Sequence, residues 1–424
     1  MRIGRTLPPA TAPIYLRDII SGIRGLFSGQ MELDRFKSEL KDYFGVKHCF
    51  LFSSGKAALA FTLSTLKEMT PERDEVVLPA YVCYSVPSAI VQVGLKVVPC
   101  DMEPNTLDMD LRKLSSLLSS KTLCVIVPHL FGLPARMSEI TRQSHEKGIT
   151  VIEDAAQAMG KTCNGKMLGT QGDVGFFSLG RGKTLSTVEG GILVVNDPMI
   201  SSRLRQKLSH LDSYNFMEKA TLLVKALLIF LFSRPNLYWF PKLFPFLRLG
   251  DTIFDPKFSI KKMSGVQAGL ARNWKIKLKL FNNQRKQRTQ RLVKELSNNA
   301  SMFLFQQNGL ISACLRLPIF IKEAKDKERI LSESEKRGLG IMFTYPDSID
   351  GIPELSHMLN KPLAREIHDS DSGAHFTGPT NLSYPEARRM AQNILTLPVH
   401  PLVCEQDMQK IIRLFTQMEH GPST

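Results

Sequence analysis

The chain lacks the features of an exported, zinc-binding or repetitive protein. Its seven cysteines among 424 residues are scattered and form no CxxC pair or cysteine–histidine cluster at metal-ligand spacing. This pattern favours a reducing compartment and no metal site. The first residues, "MRIGRTLPPATAPIYL", lack the apolar core and cleavage site of a secretory signal, and the sequence shows no internal repeat. We therefore expect a cytoplasmic globular protein.

A membrane-spanning run is also missing. Residues 220–232, "ATLLVKALLIFLF", are interrupted by Lys225 and are shorter than the roughly 20 residues that a helix needs to cross a bilayer. Prolines, aromatic and basic residues follow, with Tyr238 and Trp239 among them. Two interpretations stay open for 220–250. It is either an insertion packed on the main body or in a dimer interface, or a peripheral contact lying in the interface of the inner membrane face.

An excess of basic residues gives the chain a formal net charge of +15 and a pI near 9.5. This charge favours anionic partners such as nucleotide phosphates, nucleic acid or an anionic membrane surface. The sequence has no zinc finger and no aromatic-basic signature of an RNA-binding sheet, so we do not expect nucleic acid as a partner. The basic segment 275–291 is typical of an amphipathic helix with a solvated face.

Short apolar runs alternate with helical segments from about residue 47 to 200. This rhythm predicts an α/β fold with a mainly parallel sheet covered on both faces, whose ligands bind at the carboxyl ends of the strands. After a long predicted helix, "LRLPIFI", "LGIMFTYP" and "ILTLPVHP" suggest a smaller α/β unit. We expect an N-terminal segment (1–46), a large domain (47–299) with an apolar insertion at about 217–250, and a small C-terminal domain (300–424).

Three short motifs stand at predicted strand ends. "LFSSGKAALAF" runs from a strand through Ser54 and Gly55 into a helix, whose free N–H groups suit an anion. "VIEDAAQAMG" places Asp154 one residue past a strand, where it could cap a helix or meet a cation. "GDVGFFSLGRGKTLSTVEGG" surrounds Lys183 with small residues, where a plain surface lysine is the alternative to a reactive amine.

Together these motifs resemble the DegT-type (DegT/DnrJ/EryC/StrS) sugar aminotransferases, which depend on pyridoxal 5'-phosphate. The resemblance extends over nearly the whole chain, and the EDAAQ stretch, the FS-x4-K spacing and the following EGG are its most specific parts. It implies fold type I, the aspartate-aminotransferase-like fold. It also implies that Lys183 binds the cofactor covalently and transfers protons, that Asp154 partners the pyridine nitrogen, and that Gln157 lies near the ring.

The resemblance assigns the cofactor phosphate to Ser178, Ser54, Gly55 and Lys56. The family usually has threonine at the position of Lys56. This lysine therefore either adds a charge to the phosphate or points away from it.

Two further departures concern the ring and the partner subunit. The family usually stacks an aromatic residue on the cofactor ring where Cys83 aligns here, so we expect Tyr84 or Tyr81 to replace it, or Cys83 itself to lie against the ring. The family also has an asparagine, given by the neighbouring subunit, at the position of Ile260. Lys261 or Lys262 is the alternative donor.

The implied reaction moves an amino group, with L-glutamate as donor and a keto group of a nucleotide-linked sugar as acceptor, in a homodimer that serves glycan biosynthesis. Relatives that run a dehydration have histidine in place of the lysine, so Lys183 favours transamination. The alternatives are other cofactor chemistry and a non-catalytic protein docked at the membrane. Weaker substrate candidates are His129, Arg181, Tyr345 and His400, and for both histidines a structural role is the alternative.

Overall fold

The computed structural model describes residues 3–247, 249–299, 302–305, 313–359 and 384–419. Two main sheets organise this part of the chain. The strands in chain order are β1 (His48–Phe52), β2 (Glu75–Pro79), β3 (Lys96–Cys100), β4 (Thr122–Pro128), β5 (Thr150–Asp154), β6 (Thr162–Cys163), β7 (Lys166–Met167), β8 (Val174–Ser178), β9 (Gly191–Val195), β10 (Met302–Leu304), β11 (Arg316–Ile321), β12 (Met342–Phe343) and β13 (Ile394–Pro398).

Helices cover both sheets. Their bounds are α1 (Leu16–Phe27), α2 (Gly29–Phe44), α3 (Gly55–Met69), α4 (Ser85–Gln92), α5 (Leu111–Leu117), α6 (Met137–His145), α7 (Pro198–Leu208), α8 (Phe216–Phe232), α9 (Trp239–Lys242), α10 (Gly265–Leu270), α11 (Trp274–Leu296), α12 (Ala324–Arg337), α13 (Pro353–Leu359), α14 (Pro385–Asn393) and α15 (Glu405–Glu419). Strands and helices alternate from β1 to β5, as the sequence pattern predicts, and the strands β5 to β9 then follow one another with no helix between them.

The larger sheet has the strand order β1-β9-β8-β5-β4-β2-β3. Within this sheet, the five neighbouring strands β8, β5, β4, β2 and β3 run parallel to one another. The strand β9 pairs antiparallel with both β8 and β1. Nearly every position of these strands is buried, as expected for a sheet with helices on both faces. The prediction of a mainly parallel α/β sheet is therefore confirmed, and the carboxyl ends of β4, β5 and β8 meet at one edge.

The smaller sheet has the order β10-β11-β13-β12 and is antiparallel. The three apolar runs that the sequence offered as strands form β11, β12 and β13. The hydrophobic core of this sheet is continuous with Tyr81 and Phe131 of the large-sheet region. The core of the small sheet therefore reaches the segments that follow the large-sheet strands, which fixes the small sheet beside those strand ends.

The apolar stretch after β9 forms α8 and then α9. Asn215 caps α8 in a reciprocal capping box with Glu218, and Leu222 and Ala226 pack against α1 and α10. The outer side chains, among them Val224 and Leu228, are exposed. Within the described residues, no helix is long and apolar enough to cross a membrane.

The N-terminal segment is fixed to the small sheet by a buried histidine. His400 Nδ1 accepts the Leu402 N–H at 3.2 Å, so Nε2 carries the proton and donates to the Pro8 carbonyl at 2.8 Å. Desolvation lowers the pKa of His400 to about 3. The side chain is fully buried, so the geometry favours the structural alternative for His400 over substrate contact.

A pH-dependent stability follows from this burial. An unfolded His400 gains a proton as the pH falls below about 6.5, whereas the folded one stays neutral until about pH 3, so folded stability declines over that window. The variant His400→Gln keeps a donor and an acceptor at the same positions. We expect its melting temperature to fall less steeply than that of the wild type as the pH decreases below about 6.5.

The control for this measurement is His210→Gln, because His210 is exposed. It should follow the wild-type pH profile. Identical slopes for His400→Gln and the wild type would show that His400 does not contribute to the acid sensitivity of the fold.

Candidate active site

An anion-binding turn lies between β1 and α3. The Ser54 hydroxyl accepts the Ala57 N–H at 3.1 Å and caps α3, which leaves the first N–H groups of the helix free for an anion. A Cβ on Gly55 would lie 2.8 Å from the Ser178 Cβ, so only glycine fits there. The end of β8 therefore borders the turn, and the Ser178 hydroxyl oxygen would lie 3.2 Å from the same added Cβ.

Asp154 ends β5 at the same edge of the sheet. Its Oδ1 accepts the Ala156 N–H at 3.0 Å, and its backbone carbonyl accepts the His129 N–H at 3.0 Å. Burial raises the pKa of Asp154, while the Ala156 hydrogen bond and the charge of Lys183 act in the opposite direction. A buried carboxylate with a raised pKa favours a cationic ligand, because a nearby positive charge stabilises the ionised form of the carboxylate.

Lys183 lies on the loop between β8 and β9, and these two strands pair as the sequence predicts. Its side chain is half-buried. The backbone around it is held by Arg285, a fully buried guanidinium that donates to the carbonyls of Thr184 at 3.2 Å, Thr11 at 3.3 Å and Lys183 at 3.4 Å. Arg285 thus fixes the main chain of the loop, and the Lys183 ammonium makes no hydrogen bond or ion pair with the residues that the structure describes.

Gln157 connects this edge to the small sheet. Its Oε1 accepts the Phe131 N–H at 3.1 Å, and its Nε2 donates to the Tyr345 hydroxyl at 3.0 Å. The Tyr345 ring in turn packs edge-on against Tyr81, with centroids 5.0 Å apart. Tyr345 therefore approaches the site from the small-sheet side, in contact with the predicted cofactor residue Gln157.

The candidates for ring stacking occupy different environments. Tyr84 exchanges two hydrogen bonds of 3.0 Å between its hydroxyl and the backbone of Asp347, and burial raises its pKa to about 12. Tyr81 is fully buried against Tyr345, whereas Cys83 is only partly buried and its sulfur accepts from the Ser85 hydroxyl. The stacking assignment remains a prediction for Tyr84.

His129 lies at the end of β4 with both ring nitrogens bonded inside the protein. Nδ1 accepts the Ala135 N–H at 3.0 Å, so Nε2 donates to Glu153 Oε1 at 2.6 Å. Burial opposes ionisation of Glu153, yet the hydrogen bonds from His129 and from backbone N–H groups hold its pKa below the usual value. The geometry favours a structural role for His129.

A model of the DegT/DnrJ/EryC1/StrS aminotransferase family matches residues 24–416. The chain belongs to this family. A GDP-perosamine synthase from Vibrio cholerae is 33% identical over 195 residues, which are 46% of this chain and 52% of that protein. An L-glutamine:2-deoxy-scyllo-inosose aminotransferase from Streptomyces kanamyceticus is 33% identical over 186 residues, 44% of this chain and 42% of that protein. The chain spans about half the length of the relatives it matches.

Solved structures share the fold over almost the full length. Helicobacter pylori PseC, an aminotransferase of pseudoaminic acid biosynthesis, has a TM-score of 0.75 at 16% identity and covers 98% of this chain and 100% of its own. The pyridoxal-phosphate form of the putative sugar aminotransferase Spr1654 from Streptococcus pneumoniae has a TM-score of 0.74 at 18% identity, with coverage of 99% and 100%. The predicted family and fold type I are confirmed.

Three lysines replace or neighbour family positions, and each is bound within the chain. Lys56 Nζ lies 2.9 Å from Asp255 Oδ2 and 4.2 Å from the centre of the Phe258 ring, so it points away from the anion-binding turn. Lys261 Nζ binds Glu218 Oε1 at 2.5 Å. Lys262 Nζ binds the carbonyl of Ser209 at 3.2 Å.

The weaker substrate candidate Arg181 is exposed. Burial raises the pKa of Tyr238 in the insertion, and the positive charge of Arg181 acts in the opposite direction, lowering that pKa.

The loop after Lys183 contains a strained residue that the sequence did not indicate. Val188 has φ of 76°, a left-handed conformation that is a genuine outlier for a β-branched residue. The neighbouring Glu189 is fixed by Tyr214, whose hydroxyl donates to its carboxylate at 2.7 Å, and by Gln267, which donates to its carbonyl at 2.9 Å. Val188 packs against α1, α8 and α10, so tertiary contacts hold the loop in this conformation.

Truncating Val188 separates backbone strain from packing. Both Val188→Ala and Val188→Gly lose the two methyl groups, and glycine also loses the Cβ, but only glycine tolerates the positive φ without a steric penalty. We expect Val188→Gly to have a free energy of unfolding about 1 kcal/mol higher than Val188→Ala, the reverse of the usual order. Denaturant unfolding of the two variants measures the difference, and a more stable alanine variant would rule out strain at this position.

Proposed function

We propose that the protein is a pyridoxal-phosphate-dependent aminotransferase that moves an amino group from L-glutamate to the keto group of a nucleotide-linked sugar. The observation that supports it is the meeting of an amine, a buried carboxylate and an anion-binding turn at one edge of the sheet. Lys183, Asp154 and the Ser54–Gly55 turn come from three separate strand ends. Family membership supports the same chemistry.

The residues present fit this cofactor at both ends. A phosphate would be held by the free N–H groups of α3 and the Ser178 hydroxyl. The pyridine nitrogen would meet Asp154, whose raised pKa falls again when it faces a cation. Gly55 keeps the turn open beside Ser178, because a side chain there would collide with β8. A single ligand with an anionic and a cationic end suits this arrangement.

The residues of the chain itself have separate roles in this reaction. The cofactor, when bound, supplies the electron sink that acidifies the Cα hydrogen of the amino donor. Lys183 Nζ is the base that removes this proton and returns it, because it makes no hydrogen bond or ion pair with the described residues while Arg285 holds its backbone. Asp154 keeps the facing nitrogen protonated, and Gln157, tied to Tyr345, closes the small-sheet side of the site.

The acceptor is inferred from relatives and charge, and L-glutamate as the donor from the family resemblance. Relatives are named GDP-perosamine synthase, L-glutamine:2-deoxy-scyllo-inosose aminotransferase and, from Yersinia pseudotuberculosis, GDP-4-keto-6-deoxy-D-mannose 3-dehydratase. A lysine at position 183 favours transamination over dehydration. The net charge of +15 favours a diphosphate-bearing sugar. We also infer a cytoplasmic homodimer that serves polysaccharide or glycan biosynthesis.

Absorbance spectra test the cofactor and the donor together. Protein loaded with pyridoxal phosphate should show a visible band that bleaches on addition of L-glutamate, with one equivalent of 2-oxoglutarate formed per site. Lys183→Ala should lack the covalent band and lose activity by at least about 10³-fold, because both the covalent link and the proton transfer depend on its amine. A panel of nucleotide-linked keto sugars then identifies the acceptor.

A matched pair of variants tests the phosphate end of the proposed site. Ser178→Ala should weaken cofactor binding because it removes a phosphate donor. Lys56→Met should leave cofactor affinity nearly unchanged, because the Lys56 ammonium contacts Asp255 and Phe258. Circular dichroism checks that both variants fold. A wild-type protein with no visible band, or Lys183→Ala with an unchanged one, would contradict the proposal.

A further inference from the structure

Two helices in contact, α1 and α8, each expose apolar side chains on the face turned away from their shared core. We call this region the α1–α8 surface. Its members are large aliphatic or aromatic residues that are 36–88% exposed: Leu16, Ile20, Ile23 and Phe27 of α1, and Val224, Leu227, Leu228 and Leu231 of α8. Soluble monomers rarely expose contiguous apolar areas of this kind unless they bind something.

The spacing of these residues makes a continuous stripe on each helix. The α1 positions recur every three or four residues, which places them on one helical face. The opposite faces of α1 and α8 pack on α10 and on each other, through Ile19, Leu222 and Ala226. The outer stripes are therefore not needed to close the protein's own core.

The charge around this surface is mainly positive. Glu218 in the first turn of α8 pairs with Lys261, and the following residues 219–250 contain five basic residues and no aspartate or glutamate. On α1, Arg17 and Arg24 are exposed, whereas Asp18 is buried and pairs with Lys277 Nζ at 2.5 Å. The exposed charges among the apolar side chains are thus cationic.

This combination selects among three possible occupants. A second copy in a symmetric contact would bring the same patch against itself, and burying cations opposite cations is costly. A membrane-spanning role does not fit either, because α8 has 17 residues and Lys225 lies in its middle. A bilayer with anionic headgroups satisfies both the apolar stripes and the cationic rim.

We propose that the α1–α8 surface binds the anionic face of a lipid bilayer, with α1 and α8 lying in the plane of the interface. Trp239 and Tyr238 follow α8 and are partly exposed, which is typical of side chains at headgroup depth. The aromatic residues Phe240 and Phe246 extend the apolar area beyond α8. This inference does not depend on the aminotransferase reaction.

The core behind the surface reaches the active site. Val188, five residues after Lys183, belongs to the same hydrophobic cluster as Ile19, Leu222 and Ala226. If the α1–α8 surface binds a membrane, only α1, α8 and the cluster beneath them separate Val188 of the Lys183 loop from that membrane.

Sedimentation with lipid vesicles tests the proposal on the full chain. We expect the wild type to bind vesicles of phosphatidylcholine mixed with phosphatidylglycerol, and to bind pure phosphatidylcholine much less. Val224→Asp combined with Leu228→Asp should reduce the partition coefficient about tenfold or more. High salt should weaken the binding of the wild type, because it screens the cationic rim.

The control for each aspartate is Met199→Asp, which places one such charge at a 70% exposed apolar residue on α7, a helix that packs on α3 and β9. It should bind vesicles as the wild type does. Circular dichroism and the cofactor spectrum verify that each variant is folded. Equal vesicle binding by the double aspartate variant and the wild type would overturn the proposal.

Light scattering without vesicles tests the other possible occupant of the surface, a second copy of the chain. If the wild type is a dimer, the double aspartate variant should stay one under our proposal. The proposal would be wrong if the wild type bound neither kind of vesicle and its dimer dissociated in the double aspartate variant. A second copy would then cover the surface.

Discussion

The end of β5 holds two adjacent buried carboxylates, Glu153 and Asp154. The site depends on the difference between the hydrogen bonds that the protein gives to each of them. Glu153 accepts hydrogen bonds from His129 and from three backbone N–H groups of the following turn, so the protein alone stabilises its charge. Asp154 points to the other face of the sheet and accepts only the Ala156 N–H among the described residues. Because burial raises its pKa, Asp154 is left to be completed by a cationic ligand, whereas Glu153 fixes the strand end on which it stands.

The same division between fixed backbone and free side chain recurs at the Lys183 loop. Arg285 binds main-chain carbonyls, and Tyr214 and Gln267 hold Glu189 at the other end of the loop. Val188 stays in a left-handed conformation because the neighbouring helices fill the space around its side chain. A reactive amine needs such a frame, since it must move between partners while its own Cα stays in place.

Local patterns predicted much of this, and long-range contacts account for the rest. The β1–α3 turn, the end of β5 and the β8–β9 pair follow from alternation, capping and glycine placement, all readable within a few residues. The direction of Lys56 depends on Asp255, almost 200 positions away, and the role of Arg285 depends on Thr11 and Lys183. His129 and His400 stand at strand ends like catalytic residues, but burial, which the sequence does not report directly, engages both rings.

The residues before α1 are part of the internal architecture of the protein. The Pro8 carbonyl accepts from His400 and the Thr11 carbonyl from Arg285, while the Leu7 N–H donates to the carbonyl of Gly338. Cutting the chain at about residue 14 would leave two buried donors without acceptors, each costing about 1–3 kcal/mol. Expression tags therefore belong ahead of an intact N-terminus, and a proteolytic nick in this segment would loosen the small sheet and the lysine loop at once.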